Sequence, residues 1–421
     1  MPRNDWSRSS HTGGNISRRS LLRGAAALAV APSALSLGPA RASAASGRTL
    51  AYVGTYTSPD GPELGRGKGE GIYLFDVNTA TGALTQRKVF ESGMNPTWLA
   101  IDPSQSHLYA ANETANFRGV RSGCVSAYAI DPASGDLTLL NTVSSEGAGP
   151  CHLSVHPSGK YVLVANFGGA TVAVLPIRPN GELGAASDVK HDVGKVRGVD
   201  PTSAPAGKLA SFNHGGPRAH MIQADPSGRF ILAVDLGLDQ IYIWRLDLEK
   251  GTLSPNDPPV ALLPPGDGPR HFAFHKNGRW VYSLQEQGST VVWFDLDPKS
   301  GRLTEKQSLS SLPPGYNGTN YPSEIVASPD GRFVYAANRL HDSIAIYSIG
   351  EAGTMRFVDA VWTRGDYPRH ININPSGDFL YSCNQRSDVI TSFRIHHQTG
   401  MLTFTGLCTS VGTPACIVFL S

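Results

Sequence analysis

Gly268–Gln285 reads GPRHFAFHKNGRWVYSLQ: a proline, an apolar run, a turn at Lys276, Asn277 and Gly278, and a second run rich in aromatic and β-branched residues. The phrase recurs. NPTWLAIDPSQSHLYAAN starts at Asn95, GPCHLSVHPSGKYVLVAN at Gly149, GPRAHMIQADPSGRFILAVD at Gly216, YPSEIVASPDGRFVYAAN at Tyr321, YPRHININPSGDFLYSCN at Tyr367, and a fragment, TPACIVFL, at Thr413. The opening prolines, Pro96, Pro150, Pro217, Pro269, Pro322, Pro368 and Pro414, are 54, 67, 52, 53, 46 and 46 residues apart. Repeats at such a period mark stacked supersecondary units, and a four-stranded propeller blade needs roughly 40–50 residues.

Each step holds two hairpins. After Pro269 come HFAFH, WVYSLQ, TVVWFDL and LTEKQSL, four short β-rich runs bounded by Gly, Pro, Asp and Asn. Helical periodicity is nearly absent after residue 47, and 46 glycines with 30 prolines suit a chain made of turns. A β-sandwich would not sustain so long a period. The sequence therefore predicts an all-β, seven-bladed β-propeller over residues 48–421. The chain ends support a closed ring: ACIVFL reads as the first strand of a copy, and LAYVGTYT from Leu50 as the second strand of a copy. The C-terminal strand is thus expected to join the N-terminal blade and leave no open sheet edge.

Residues 1–44 read as an address. SRRSLLRG (residues 17–24) precedes a short apolar run broken by Pro32 and small residues at Ala40, Ala42 and Ala44, resembling a twin-arginine export signal with an A-x-A cleavage site. That run is too short to span a bilayer permanently. The mature chain is expected to be periplasmic or extracellular, off the membrane and monomeric. A net charge of +2, with 17% charged residues and no basic–aromatic clusters, gives no case for nucleic acid. The five cysteines are odd in number and contain no C-x-x-C. Cys408 and Cys416 could pair in an oxidising compartment, while most of the five read as small buried hydrophobes.

Residues shared by every copy build the blade, so function is sought where the pattern breaks. Counting back from the turn, the first strand opens with Thr97, Cys151, His220, Arg270, Ser323, Arg369 and Ala415. The next column is Trp98, His152, Met221, His271, Glu324, His370 and Cys416. Just past the second strand come Glu113, Phe167, Leu236, Glu286, Arg339 and Gln385. In a hairpin, the start of one strand lies beside the end of the other. His220, Arg270, Glu286 and Arg339, from three consecutive blades, should therefore crowd one face near the axis. The preceding column, Asn in four copies, reads as scaffold that bonds local backbone. His156 and His275, beside the turn, belong to the far end. The long insertion before His220, rich in Gly, Pro and Ser, is expected to be either a cover for the site or a surface excursion.

The recurring phrase, the opening YVGTYT and the terminal TPACIVFL resemble the lactonase family of seven-bladed propellers over nearly all of residues 48–421. That family includes propeller-type 6-phosphogluconolactonases and the fungal carboxy-cis,cis-muconate lactonising enzyme. The resemblance implies a lactone hydrolase and places the family's site on His220 in GPRAH, Arg270 in GPRHF, Glu286 in SLQEQ and Arg339 in AANRL. These are the four residues that the columns single out.

Their chemistry suits lactone opening. Guanidinium groups can anchor a carboxylate or stabilise the oxyanion formed when water attacks the ring carbonyl, as expected of Arg270 and Arg339. Either Glu286 or His220 could take the proton of that water. Alternatively, Glu286 and Arg339 form only an inter-blade ion pair. His152, His271, Glu324, Arg369 and His370 share the face and are secondary candidates for lining the pocket or holding an acidic group of the substrate. No cofactor is implied, and two arginines in the cluster disfavour a divalent metal. There is no G-x-S-x-G, H-E-x-x-H, P-loop or dinucleotide fingerprint. Three activities follow: hydrolysis of a sugar lactone, 6-phosphogluconolactonase-like or acting on an unphosphorylated relative; an exported binding propeller without turnover; or formation of a lactone from a muconate.

Overall fold

The second apolar run of each phrase lacks the polar alternation of a half-exposed strand because both its faces are covered. All six residues of Tyr161–Asn166 and of Phe333–Asn338 are buried. The computed structural model describes residues 48–59, 66–197 and 215–421. Among them it contains seven antiparallel sheets of four strands each and no helix. The seven-bladed propeller read from the repeats is the fold.

The inner strands of blades two to seven are Pro96–Ile101, Pro150–Val155, Ala219–Ala224, Pro269–Phe274, Pro322–Ala327 and Pro368–Ile373, and blade one takes Pro414–Leu420. Each inner strand touches the inner strand on either side, which closes the ring. The four strands expected after Pro269 appear as Pro269–Phe274, Trp280–Gln285, Thr290–Leu296 and Leu303–Ser310, paired in that order. Outer strands face water, and Leu303–Ser310 accordingly exposes Thr304, Glu305, Lys306, Ser308 and Ser310.

The apolar cores lie between blades, not within them. Phe230, Leu232 and Ile243 of blade four, for example, meet Phe272, Val281 and Phe294 of blade five. The phrase's recurrent tyrosine adds a polar clamp across the same interface. Tyr52, Tyr109, Tyr282 and Tyr335 donate from Oη to the carbonyls of Gly135, Gly181, Gly353 and Gly400 in the next blade, at 2.7, 3.1, 3.2 and 3.0 Å. Those glycines turn the outer hairpins with φ of 78, 85, 91 and 73°, a region costly for side chains. His156 and His275 act similarly at the far end, each placing Nε2 on a neighbouring turn carbonyl, Gly228 at 3.0 Å and Gly331 at 2.8 Å.

The ring closes as the chain ends suggest. Leu50–Thr55 pairs on one side with Ile72–Val77 and on the other with Pro414–Leu420, in a register that sets Ala51 opposite Phe419 and Val53 opposite Ile417. Cys408 and Cys416 do not pair, and all five cysteines are free. Cys408 is on the outermost strand of blade seven and Cys416 on the innermost strand of blade one, at opposite radial ends of the sheets. The other four thiols are buried, as the small-hydrophobe reading expects. Residues 1–44, read as an export signal, and most of the insertion before His220 lie outside the described residues. Among the described residues no helix is long and apolar enough to cross a membrane.

Candidate active site

The column that opens each first strand is a column of β-bulges. The hairpin register slips between Pro96 and Trp98, Pro150 and His152, Ala219 and Met221, Pro269 and His271, Pro322 and Ile325, and Pro368 and His370. A bulge inserts one unpaired residue and re-aims its side chain. His220, Arg270 and Arg369 occupy such positions. Glu286 and Arg339 follow the ends of the adjoining strands, where Glu286 N–H donates to Gly268 C=O at 2.7 Å and Arg339 N–H to Tyr321 C=O at 3.2 Å. The Asn column behaves as scaffold: Asn166 Nδ2 donates to Ser145 C=O at 2.7 Å and Asn338 Nδ2 to Ser311 C=O at 2.7 Å.

Arg270, Glu286 and Arg339 meet in one buried triad. Glu286 Oε2 accepts from Arg339 Nη2 and lies 3.0 Å from Arg270 Nε, whose N–H is not aligned with the oxygen. Glu286 Oε1 has no hydrogen-bond partner among the described residues. Arg339 is fixed further by the carbonyls of Tyr321 at 2.8 Å and Pro322 at 3.0 Å, and its guanidinium carbon stands 3.9 Å from the Tyr321 ring centre and 5.2 Å from that of Tyr367. Arg270 Nη1 donates to Ser323 C=O and approaches His271 Nε2 at 3.5 Å.

His220 joins this triad through His271. Its Nδ1 is 3.2 Å from His271 Nε2, and its ring packs 5.5 Å from that of Phe167. His271 Nδ1 in turn lies 3.0 Å from both carboxyl oxygens of Glu324. His370 Nε2 is 3.6 Å from Glu324 Oε2, while its Nδ1 accepts Ile417 N–H at 3.3 Å. His152 Nδ1 accepts Ile222 N–H at 3.4 Å. Trp98 plugs the centre of the ring, its indole 4.4 Å from His152 and 5.1 Å from both His271 and His370. Beyond that plug runs an axial channel of about 500 Å³, lined at one end by Trp98, His152, Glu324 and His370. His271 is fully buried between His220 and Glu324.

Arg369 belongs to the opposite arc. Its Nη2 is 3.7 Å from Glu113 Oε2, which also accepts from Tyr56 Oη at 2.7 Å and Thr97 Oγ1 at 2.8 Å. Glu113, Tyr56, Trp98, Tyr321 and Tyr367 were not among the residues singled out in the sequence, although each left a signal there. Glu113 stands in the same column as Glu286 and Arg339; Tyr321 and Tyr367 open their copies where others have Gly, Asn or Thr. Arg270 and Arg339 thus share Glu286, while Arg369 faces Glu113. Among the described residues no group of three or more His, Cys, Asp or Glu is placed to hold a metal.

Burial, followed by the nearby arginines and histidines, holds His152, His220 and His271 well below the ordinary imidazole value. Burial also pushes His370 down to about 4, against the pull of Glu324. Burial raises the Glu324 carboxyl, opposed by His370 and Arg270. All four histidines are thus neutral at pH 7. Between the unfolded value of 6.5 and the lower folded value, the unfolded chain holds protons the folded one does not, so stability falls as pH falls through that window. His370 alone contributes on the order of 3 kcal/mol when the shift is fully expressed. Glu324 acts in the opposite sense, as do the raised Asp192, Asp235 and Asp342 elsewhere in the ring. In a ¹H–¹⁵N titration of the folded chain the His370 ring is expected to stay neutral down to about pH 4; protonation near 6.5 would contradict the neutral cluster.

Comparisons with known proteins bear on the fold and the family. The family model described as a lactonase, seven-bladed β-propeller, matches residues 50–419. The chain is 33% identical to a 6-phosphogluconolactonase of Bacillus subtilis over 373 residues, covering 88% of this chain and 98% of the relative. It is 30% identical to a 6-phosphogluconolactonase of Serratia proteamaculans, covering 67% and 75% of the two chains. The crystal structure of a periplasmic gluconolactonase from Pseudomonas aeruginosa superposes with a TM-score of 0.78 at 28% identity, covering 89% of this chain and 99% of that one.

Proposed function

Because the chain belongs to the lactonase family of seven-bladed β-propellers, we propose that it hydrolyses an unphosphorylated aldonolactone to the open hydroxy acid, outside the cytoplasm. The observation that carries the chemistry is the convergence of His220 with the Arg270–Glu286–Arg339 triad at the mouth of the ring.

Water attacks the ring carbonyl carbon as His220 Nε2 takes one of its protons. The new C–O bond forms while the carbonyl π pair moves onto oxygen, and Arg270 and Arg339 stabilise that oxyanion. Collapse of the tetrahedral intermediate re-forms the carbonyl and breaks the ring C–O bond. The departing alkoxide takes the proton back from His220, and the product acid releases its own proton to water. Glu286 has a different part in this arrangement. It holds both arginines in place, and its unpartnered Oε1 is available to a substrate hydroxyl.

The export-type N-terminus and the likeness to a periplasmic gluconolactonase favour an unphosphorylated substrate. The test is initial-rate hydrolysis of D-glucono-1,5-lactone and of its 6-phosphate, each corrected for spontaneous opening. A higher kcat/KM for the unphosphorylated lactone is expected. Preference for the phosphate would overturn the substrate class, and no acceleration of either would leave a binding propeller.

A further inference from the structure

Beneath His220 lies a second layer of titratable groups that the hydrolytic steps do not use. Its proton positions are set by neighbours that can only donate or only accept. A guanidinium N–H only donates, so Arg270 Nη1, 3.5 Å away, requires the lone pair of a neutral His271 to be on Nε2. The proton of His271 is then on Nδ1, aimed at both oxygens of Glu324 at 3.0 Å. Glu324 is held as an acceptor from its other sides too. Ile325 N–H donates to Oε1 at 2.9 Å. His370, whose Nδ1 is occupied by Ile417 N–H at 3.3 Å, must carry its proton on the Nε2 that faces Oε2.

The consequence reaches His220. His271 Nε2 carries a lone pair, so the 3.2 Å contact forms only if His220 supplies the proton from Nδ1. Its Nε2 is thereby left bare, and the His220 ring has no other hydrogen bond among the described residues. We propose that Glu324, acting through His271, is the positioning residue that fixes His220 in the tautomer with an unprotonated Nε2 and disperses the charge His220 gains in the transition state. The two imidazoles and the carboxylate span the inner strands of blades four, five and six, so three consecutive copies of the phrase supply one relay. This assignment rests on His220 being the proton acceptor, but the tautomers themselves can be read without turnover.

The first test is long-range ¹H–¹⁵N correlation spectroscopy of the full folded chain labelled with ¹⁵N-histidine, each signal assigned by single substitution. His220 and His271 are expected as Nδ1–H tautomers in the wild type. An Nε2–H tautomer for either would overturn the relay, whatever the enzyme's substrate. In Glu324→Gln the carboxamide can present its N–H₂ to His271 Nδ1, so the proton shifts to Nε2 and the lone pair facing His220 is lost. About ten- to a hundredfold loss in kcat with KM unchanged is expected, with the His220 signal moved towards Nε2–H. Glu324→Asp, which keeps an acceptor, should recover most of kcat. If Glu324→Gln melts as wild type and instead raises KM at constant kcat, Glu324 contacts substrate and the relay is wrong. If the wild type opens no lactone while both tautomers are as stated, the relay stands and the hydrolytic reading falls.

Discussion

Removal of residues 413–421 is expected to abolish the cooperative unfolding transition. The lost strand, Pro414–Leu420, is the innermost of blade one and pairs with Leu50–Thr55 along its length. Its Ala415, Cys416 and Ile417 are at most 1% exposed. Cys416 enters the core between blades one and two, and Ile417 the core between blades seven and one, so one deletion opens two interfaces. Each buried aliphatic side chain is worth about 1.5–3 kcal/mol, and the loss over the strand reaches the size of a whole domain's stability, about 5–15 kcal/mol. The exposed edge of Leu50–Thr55 would also template aggregation. Circular dichroism melts of the full and shortened chains check this. Superimposable transitions would show that the ring does not depend on its closing strand.

Arg270→Ala is expected to lower kcat/KM for lactone opening by about 10²–10³, the usual effect of removing one oxyanion donor. The variant should fold, because Glu286 keeps Arg339 as its partner and the four-stranded sheet of blade five is untouched. The opening loses a positive charge as well as a donor. His271 also loses the N–H that defines its tautomer, which adds to the defect in kcat. A rate within threefold of wild type, from a protein with an unchanged melting curve, would remove Arg270 from the chemistry and leave it an ion-pair partner of Glu286 within blade five.

The fold was legible because the period of the phrase is a property of the chain alone. Its tyrosine and glycine positions recur because every interface between blades needs the same clamp, as in Tyr282 to Gly353 and Tyr335 to Gly400. The candidate site was legible in part for the opposite reason: it consists of departures from that pattern, and columns are enough to place Arg270, Glu286 and Arg339 on one face. Depth was not legible. A column does not say whether a polar residue lies above or below the bulge, so His271 and Glu324 read as equals of Arg369, although the first two lie under His220 and the third faces Glu113 across the opening. Nothing in the columns marks Trp98 as the axial plug or Tyr321 as the platform under Arg339, because an aromatic ring in a strand suits a core equally well. The pairing suggested for Cys408 and Cys416 failed because nearness in sequence across a blade boundary means opposite ends of two sheets in space.

The convergence of His220 with the triad is tested most directly by following acid release in a pH-stat during opening of D-glucono-1,5-lactone, with wild type and His220→Ala side by side. Wild type should exceed the spontaneous rate, and His220→Ala, folded by its melting curve, should fall short of wild type by about 10²–10⁴, the range for loss of a general base. Equal rates for the two proteins would contradict this assignment of the site.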